Sequence, residues 1–215
     1  MRPLRIALTK GRLEKESVAL FQRIGYNCEN LINKGRKLVL DIPNTGLEVV
    51  LVKSADVITY VEHGVCDIGI VGKDTILESG KSFYEMLDLG FGRCNMVVAT
   101  TRDKAALYSG YKQKKIATKY VEIARGFFEE KGMDVELIKI EGSVELAPIL
   151  DLSDAIVDIV ETGTTLKENG LEVIDTVCPI SARLIVNLAS MKLKKKAIMD
   201  FIDEIRKNLA VSDNA

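Results

Sequence analysis

The sequence predicts an α/β protein made of two compact lobes. Short runs rich in β-branched residues alternate with helical stretches, which is typical of a largely parallel sheet covered by helices on both faces. The alternation comes in two sets, before and after residue 100, and 215 residues suffice for two small lobes. Hydrophobic residues are 47% and charged residues 28% of the chain, which excludes a disordered or collagen-like protein.

The first set follows from hydrophobic periodicity and from glycine or proline turn signals. Ser54 can cap a helix that Gly64 stops, and Gly25 ends the first helix. The predicted elements are strands over 4–8, 37–42, 47–52, 67–71 and 94–100, and helices over 13–25, 54–63 and 74–79.

The second set repeats the pattern after residue 100, with Gly132 closing its longest helix. The final element, about 191–209, has the apolar spacing of one helix with a lysine-rich, solvated face. The predicted elements are strands over 115–118, 134–140, 154–160, 171–177 and 181–188, and helices over 119–131, 143–150 and 191–209.

Charge and cysteine content exclude several classes of function. The formal net charge is −1, so broad nucleic-acid binding is not expected. Cys28, Cys66, Cys94 and Cys178 are widely spaced, which favours reduced thiols over a disulfide framework or zinc site, and His63 is the single histidine. No apolar run suits a signal sequence or a membrane span, so we expect a cytoplasmic protein that binds no membrane.

The segment Thr9-Lys10-Gly11-Arg12-Leu13 follows the first predicted strand and opens a helix. Ligands bind at the carboxyl ends of strands in open α/β sheets, and a helix start offers free N–H groups to an anion. Gly11 permits close backbone approach, while Lys10 and Arg12 add positive charge. This predicts a site for a phosphate-bearing ligand; the alternative is a solvated surface turn.

The segment Glu161-Thr162-Gly163-Thr164-Thr165 also lies between a strand and a helix. Its hydroxyl and N–H groups could surround a terminal phosphate, although it matches neither the GxxxxGK[ST] nor the GxGxxG pattern. Asp158 and Glu161 suit ribose hydroxyls or a Mg²⁺ ion on a polyphosphate. The alternative is an N-capping cluster for the following helix.

Three further candidates follow predicted strands. Glu141-Gly142-Ser143 could line a ligand site, although Ser143 could simply cap a helix. Lys53 and Asp74 complete a set of polar groups at strand ends. A single lysine at such a position can equally be solvated.

Five blocks in order resemble the ATP phosphoribosyltransferase family, short form, from histidine biosynthesis. Most of the chain takes part, and the last block is the most specific. The blocks are ALTKGRL (7–13), ADVITYVEHGVCDIGIVGKD (55–74), KIATKYVEIARGFFEEKG (115–132), EGSVELAP (141–148) and SDAIVDIVETGTTLKENGL (153–171).

The resemblance implies a two-lobed architecture like that of type II periplasmic binding proteins, with the active site in the cleft. Lobe I would comprise 1–93 and 176–215, and lobe II 94–175. The reaction joins ATP to 5-phosphoribosyl-1-diphosphate (PRPP), with Mg²⁺ held mainly by substrate phosphates. It gives N1-(5-phosphoribosyl)-ATP and pyrophosphate.

The resemblance also implies roles for the candidates. Residues 162–165 would bind the 5-phosphate of PRPP, and Asp158 and Glu161 its ribose. It makes Arg12 and Lys53 the catalytic cations. On the ATP and polyphosphate side it places seven residues: Lys10, Gly11, Arg12, Asp74, Glu141, Gly142 and Ser143. Thr9 stands where the family has proline, and Lys53 where it often has arginine, which loses a bidentate fork.

Partners follow from the same resemblance. The long form carries a C-terminal regulatory domain that binds histidine, and we expect that domain to be missing here. The short form works as a homodimer with a regulatory subunit resembling histidyl-tRNA synthetase, in a hetero-octamer. Two alternatives stay open: a non-catalytic two-lobed binding module, and a phosphoribosyltransferase that uses another base.

Overall fold

The computed structural model describes residues 2–104 and 112–212, and the chain divides into two units. Unit 1 comprises Met1–Ile76, Lys81–Gly92 and Ser181–Ala215, and unit 2 comprises Leu77–Gly80 and Arg93–Ile180. The sequence predicts that the chain returns to lobe I at residue 176, whereas in the structure unit 1 resumes at Ser181. The difference arises because one strand runs unbroken from Leu171 to Ile180.

The described residues form both strands and helices. The strands are β1 (Leu4–Thr9), β2 (Val39–Ile42), β3 (Leu47–Val52), β4 (Ile68–Gly72), β5 (Tyr84–Asp88), β6 (Cys94–Thr101), β7 (Lys114–Thr118), β8 (Val135–Lys139), β9 (Ala155–Val160), β10 (Leu171–Ile180) and β11 (Ala182–Val186). The helices are α1 (Arg12–Arg23), α2 (Glu29–Ile32), α3 (Ser54–Glu62), α4 (Lys73–Ser79), α5 (Val121–Glu130), α6 (Leu146–Ile149), α7 (Thr164–Glu168), α8 (Leu188–Leu193) and α9 (Lys195–Ser212).

Unit 1 is built on a six-stranded sheet of order β2-β3-β1-β4-β11-β5. The central strand β1 contributes apolar side chains to a core on each face of the sheet. Ile6 and Leu8 belong to the core that includes Phe21 of α1 and Phe201 of α9. Ala7, which points the other way, packs in the core formed with α3.

Unit 2 is built on a five-stranded sheet of order β10-β6-β9-β7-β8. It too has a core on each face. Met96 and Val98 of β6 pack in the core that contains Phe128 of α5. The alternate residue Val97 packs in the core that contains Leu166 of α7.

The prediction of largely parallel sheets is wrong, because both sheets are mixed. β1 pairs in parallel with β3 and β4, and β7 with β8 and β9. The other described pairings are antiparallel. The hairpin β2–β3 accounts for one of them, and β10 and β11, which return toward the C-terminus, account for most of the rest.

The prediction of one helix over 191–209 is also wrong. The chain forms α8 and then α9, with a break at Lys194, where φ is −127°. The side chain of Asn187 begins α8 by accepting a hydrogen bond from the Ser190 N–H (2.8 Å). The Lys194 ammonium reaches the buried Asp67 carboxylate (2.8 Å), a tertiary contact that apolar spacing does not reveal.

Candidate active site

Three predicted site residues lie at one edge of the unit 1 sheet. β3, β1 and β4 are adjacent and parallel, so their carboxyl ends meet there. Lys53 directly follows β3, Lys10 directly follows β1, and Asp74 is the second residue of α4, which follows β4. The Lys10 N–H donates to the Val52 carbonyl (2.9 Å), which ties two of these strand ends together.

The turn after β1 has the backbone shape expected for close approach to a ligand. Gly11 has φ 98° and ψ −128°, a conformation that residues with a Cβ rarely adopt. Arg12 begins α1, and its guanidinium Nε lies 3.0 Å from Glu16 Oε1 at the surface. Thr9 donates from its hydroxyl to the Ile70 carbonyl (3.1 Å), a bond that proline at this position could not make.

Lys53, rather than the predicted Ser54, is the N-cap residue of α3. Its backbone is extended, and its carbonyl accepts hydrogen bonds from the N–H groups of Asp56 (3.0 Å) and Val57 (3.2 Å). The residue is exposed. The charged group is therefore presented at the sheet edge by a rigid backbone position.

In unit 2, the predicted phosphate loop lines a pocket of about 280 Å³. The pocket walls include Asp158 of β9, residues 161–165 of the loop, and Glu145. All the PRPP residues predicted from sequence thus come together in one place. Glu145 was not among them.

The loop combines a glycine turn with exposed threonine hydroxyl groups. Gly163 is the N-cap residue of α7, in the left-handed region at φ 76°. The hydroxyls of Thr162 and Thr164 lie 3.0 Å apart, and the Thr164 N–H donates to the Thr162 hydroxyl over 3.4 Å. The N-cap residue of α7 is Gly163 and no side chain caps this helix, so the N-capping alternative is not supported, while the loop hydroxyls stay compatible with a phosphate-binding role.

Asp158 has the most perturbed environment in this pocket. Burial raises the pKa of its carboxyl group, and the negative charge of Glu145 raises it further. A hydrogen bond from the Ile159 N–H and the charge of Lys119 lower that pKa without cancelling the rise. Lys119 directly follows β7, the strand beside β9.

Glu145→Gln is therefore expected to lower the pKa of the Asp158 carboxyl, because it removes a neighbouring negative charge. Carboxyl carbon NMR titration of Asp158 measures this directly. Glu136→Gln, on the exposed face of β8, is the matched control and should leave the Asp158 titration unchanged. An unchanged titration in Glu145→Gln would show that the two carboxylates do not interact.

The Glu141-Gly142-Ser143 segment is built differently from its prediction. Ser143 has φ 50° and is not a helix cap, because Glu145 is the N-cap residue of α6. Glu141 is exposed and pairs with Lys139 (3.1 Å). None of these three residues is among the described residues lining the unit 2 pocket.

Two negative findings apply to residues 2–104 and 112–212. No three His, Cys, Asp or Glu side chains there are grouped as a protein-only metal site would require. Within the same ranges, no helix combines the length and apolar character needed to cross a bilayer.

Comparisons with known proteins agree on one family. The HisG family model, described as ATP phosphoribosyltransferase, matches residues 53–207. An ATP phosphoribosyltransferase of Clostridium kluyveri is 60% identical over 95% of this chain and 93% of its own. One from Listeria monocytogenes is 57% identical over 95% of each chain.

One solved structure gives the same assignment, and a second shares the fold. A chain of the ATP phosphoribosyl transferase (HisG:HisZ) complex from Thermotoga maritima has a TM-score of 0.82 and 33% identity, with 97% of this chain and 98% of that one covered. The periplasmic aliphatic sulphonate binding protein SsuA from Escherichia coli has a TM-score of 0.60 at 13% identity, covering 98% of this chain and 74% of its own. This second likeness shows the two-lobed fold alone.

These matches cover most of the chain, and they disfavour both alternatives that the sequence left open. The transfer of 5-phosphoribosyl from PRPP to N1 of ATP, the first step of histidine biosynthesis, is the activity of this family. The chain belongs to the HisG family of ATP phosphoribosyltransferases.

Proposed function

We propose that PRPP binds in the unit 2 pocket, with its 5-phosphate on residues 162–165. The observation that supports this proposal is that Asp158 and the whole loop line one pocket of about 280 Å³. The loop offers hydroxyl groups and the first N–H groups of α7 to the phosphate. Asp158 and Glu161 accept hydrogen bonds from the ribose hydroxyls.

The cationic edge of unit 1 serves the polyphosphate. Lys10, Arg12 and Lys53 are exposed cations at or beside adjacent strand ends, and Gly11 leaves the backbone open there. Asp74, in the first turn of α4 at the same edge, contributes to the ATP side of the site. Positive charge held in place before the reaction stabilises the negative charge that develops on departing pyrophosphate.

The proposed reaction needs no general base from the protein. Adenine N1 already has a free lone pair, so no proton must be removed before it attacks the ribosyl carbon. Catalysis is then a matter of orientation and electrostatics. A chain with one histidine is adequate for this chemistry.

Mg²⁺ fits the residues of the unit 2 pocket. Two carboxylates, Asp158 and Glu145, line it, and the charge of Glu145 raises the pKa of Asp158. Mg²⁺ is commonly held by one or two carboxylates together with substrate phosphates, so these two would hold it. When bound, the ion neutralises charge on the diphosphate. Asp158 and Glu161 themselves orient the ribose beside the phosphate loop.

Two valine variants test the PRPP assignment. Thr164→Val keeps the side-chain shape but removes a hydroxyl that would bond to the phosphate. Its affinity for PRPP and for inorganic phosphate should fall roughly tenfold, the usual loss for one hydrogen bond to a charged group. Thr176→Val, on the exposed part of β10, is the control.

Isothermal calorimetry measures these affinities. Asp158→Asn should weaken PRPP binding but leave inorganic phosphate binding unchanged, because Asp158 contacts ribose. If Thr164→Val binds both ligands like the unmodified chain, the 5-phosphate lies elsewhere. If Asp158→Asn loses inorganic phosphate as well, Asp158 acts on the phosphate rather than on the ribose.

The assembly extends beyond one chain. We place the enzyme in the cytoplasm as a homodimer that joins a regulatory subunit resembling histidyl-tRNA synthetase, in a hetero-octamer. Support comes from the Thermotoga maritima relative, which is part of a HisG:HisZ complex.

We expect pyrophosphate release to require both ATP and PRPP, with Mg²⁺. We expect light scattering to show the chain shifting from a dimer to a larger complex when the regulatory subunit is added. Release from PRPP alone would contradict the proposed transfer. An unchanged mass after mixing would contradict the assembly.

A further inference from the structure

The turn that carries Lys10, Gly11 and Arg12 is held from behind by a buried carboxylate. Glu14 is only 7% exposed, although it lies in the first turn of an otherwise accessible helix start. Its Oε2 accepts a hydrogen bond from the Gly11 N–H (3.3 Å). Its Oε1 forms an ion pair with the ammonium group of Lys34, which follows α2.

The unusual backbone of the turn is held by hydrogen bonds. A Cβ placed on Gly11 would have nothing within 4 Å, so the space beside this residue is open. Besides the bond to Glu14, the Gly11 carbonyl accepts from the Lys15 N–H (3.2 Å), and the Lys10 N–H is tied to β3.

Lys34 offsets the negative charge of Glu14. A carboxylate at a helix N-terminus interacts favourably with the helix dipole, but it also repels an anionic ligand at the same end. Pairing with Lys34 neutralises that repulsion without removing the acceptor for the Gly11 N–H. The exposed charge of Lys10 then acts on the ligand, together with that of Arg12, which also pairs with Glu16 (3.0 Å).

We propose that Glu14 and Lys34 are a positioning pair for the polyphosphate of the substrate. Glu14 fixes the turn that presents Gly11 and Arg12, and Lys34 offsets the charge that this support introduces. The pair acts through the turn and does not touch the substrate. This inference rests on the proposed assignment of the ATP polyphosphate to the same turn.

Glu14→Ala, Glu14→Gln and Lys34→Met test the pair by steady-state kinetics. Glu14→Ala should raise KM for ATP roughly tenfold or more, as expected when a charge-assisted hydrogen bond is lost, with a smaller change in kcat. Glu14→Gln keeps an acceptor for the Gly11 N–H but turns its NH₂ group toward Lys34, so it should recover only part of the ATP affinity. Lys34→Met should raise KM for ATP in a way that salt relieves, because it exposes the Glu14 charge.

Glu48→Ala is the matched control, since it breaks the partly buried ion pair with Arg5 on the same sheet. It should lower the melting temperature while leaving KM for ATP unchanged. If Glu14→Ala behaves in the same way, with no rise in KM and no recovery in Glu14→Gln, its role is merely structural and the positioning pair is refuted.

Arg12→Ala separates this inference from the proposed function. If Arg12→Ala raises KM for ATP and Glu14→Ala does not, only the positioning pair is wrong. If Arg12→Ala leaves the kinetics unchanged, the turn does not serve the polyphosphate, and both proposals are overturned.

Discussion

Gly163→Val is expected to abolish PRPP binding while unit 2 still folds. Gly163 lies in the left-handed region at φ 76°, where a β-branched residue is strained; the strain costs roughly 1–2 kcal/mol. A Cβ there would meet only Val160, at 3.8 Å, so the free protein has room for it. The side chain would instead occupy the backbone surface that we assign to the 5-phosphate.

Calorimetry with PRPP should therefore show a loss of roughly a hundredfold or more, since about 2.7 kcal/mol corresponds to that factor. Gly126→Val is a matched control in the same unit, because a Cβ at Gly126 in α5 also has open space. It should leave PRPP binding unchanged even if the helix is weakened. Gly163→Val binding PRPP normally would rule out the loop as the phosphate site.

Gly163→Asn distinguishes the two physical reasons for the glycine. Asparagine tolerates the left-handed region better than valine, so it restores the turn but still adds a side chain. If Gly163→Asn also loses PRPP, close approach of the ligand to the backbone is the requirement. If it binds PRPP, the requirement is the shape of the turn.

Local signals explain why both glycine turns could be predicted from sequence. Gly11 and Gly163 each stand between an apolar strand and a helix start, and both have positive φ. In each case the strand, the turn and the helix are contiguous in the chain, so no long-range contact is needed to recognise them. The same holds for the β2–β3 hairpin, whose turn residues are proline, asparagine, threonine and glycine.

The charged neighbours of Asp158 could not be found this way. Glu145 reaches the pocket from the cap of α6, and the charge of Lys119 acts on Asp158 from the end of β7. In sequence, Glu145 resembles an ordinary residue inside a short predicted helix. Its nearness to Asp158 depends on the pairing of β9 beside β7 and β6, which is a property of the sheet.

Strand β5 was missed for a related reason. Its burial does not alternate, and its outer residues are exposed or half-buried, so it lacks the period that marks a strand. It forms because β11 offers it an edge, with Arg183 paired to Asp88 (3.1 Å) and Glu85 (3.4 Å). That edge exists only after the chain has returned from unit 2.

The largest loss of stability is expected from Asp67→Asn. Asp67 is 0% exposed, and its carboxylate accepts hydrogen bonds from Ser190 (2.8 Å) and Arg2 (3.1 Å) on Oδ1. Oδ2 accepts from the Arg5 N–H (2.9 Å) and the Lys194 ammonium (2.8 Å). These contacts join β1, the start of β4, and the junction of α8 and α9.

An amide cannot replace this carboxylate, because both carboxylate oxygens accept hydrogen bonds. The NH₂ group of asparagine would point a donor at other donors. Breaking a buried ion pair by removing one partner costs roughly 3–5 kcal/mol in unfolding free energy. Asp88→Asn is the control, since Asp88 is half exposed and pairs with Arg183 at the surface; it should cost at most about 1 kcal/mol. Urea unfolding of both variants and of the unmodified chain measures the difference.

The pH dependence gives an independent check of the same contact. Burial opposes ionisation of Asp67, but the hydrogen bonds from Arg5, Lys194 and Ser190 and the Lys194 charge outweigh it, so its pKa is lowered. A carboxyl whose pKa falls on folding stabilises the protein above its unfolded pKa of about 3.9. That stabilisation is lost as the pH falls through the folded value.

The gap in unfolding free energy between the unmodified chain and Asp67→Asn should therefore be full near neutral pH and shrink below about pH 4. A gap that stayed constant down to pH 2 would mean that the ionised carboxylate is not what stabilises unit 1. A cost no larger than that of Asp88→Asn would lead to the same conclusion. The break between α8 and α9 would then need a cause other than the ion pair between Asp67 and Lys194.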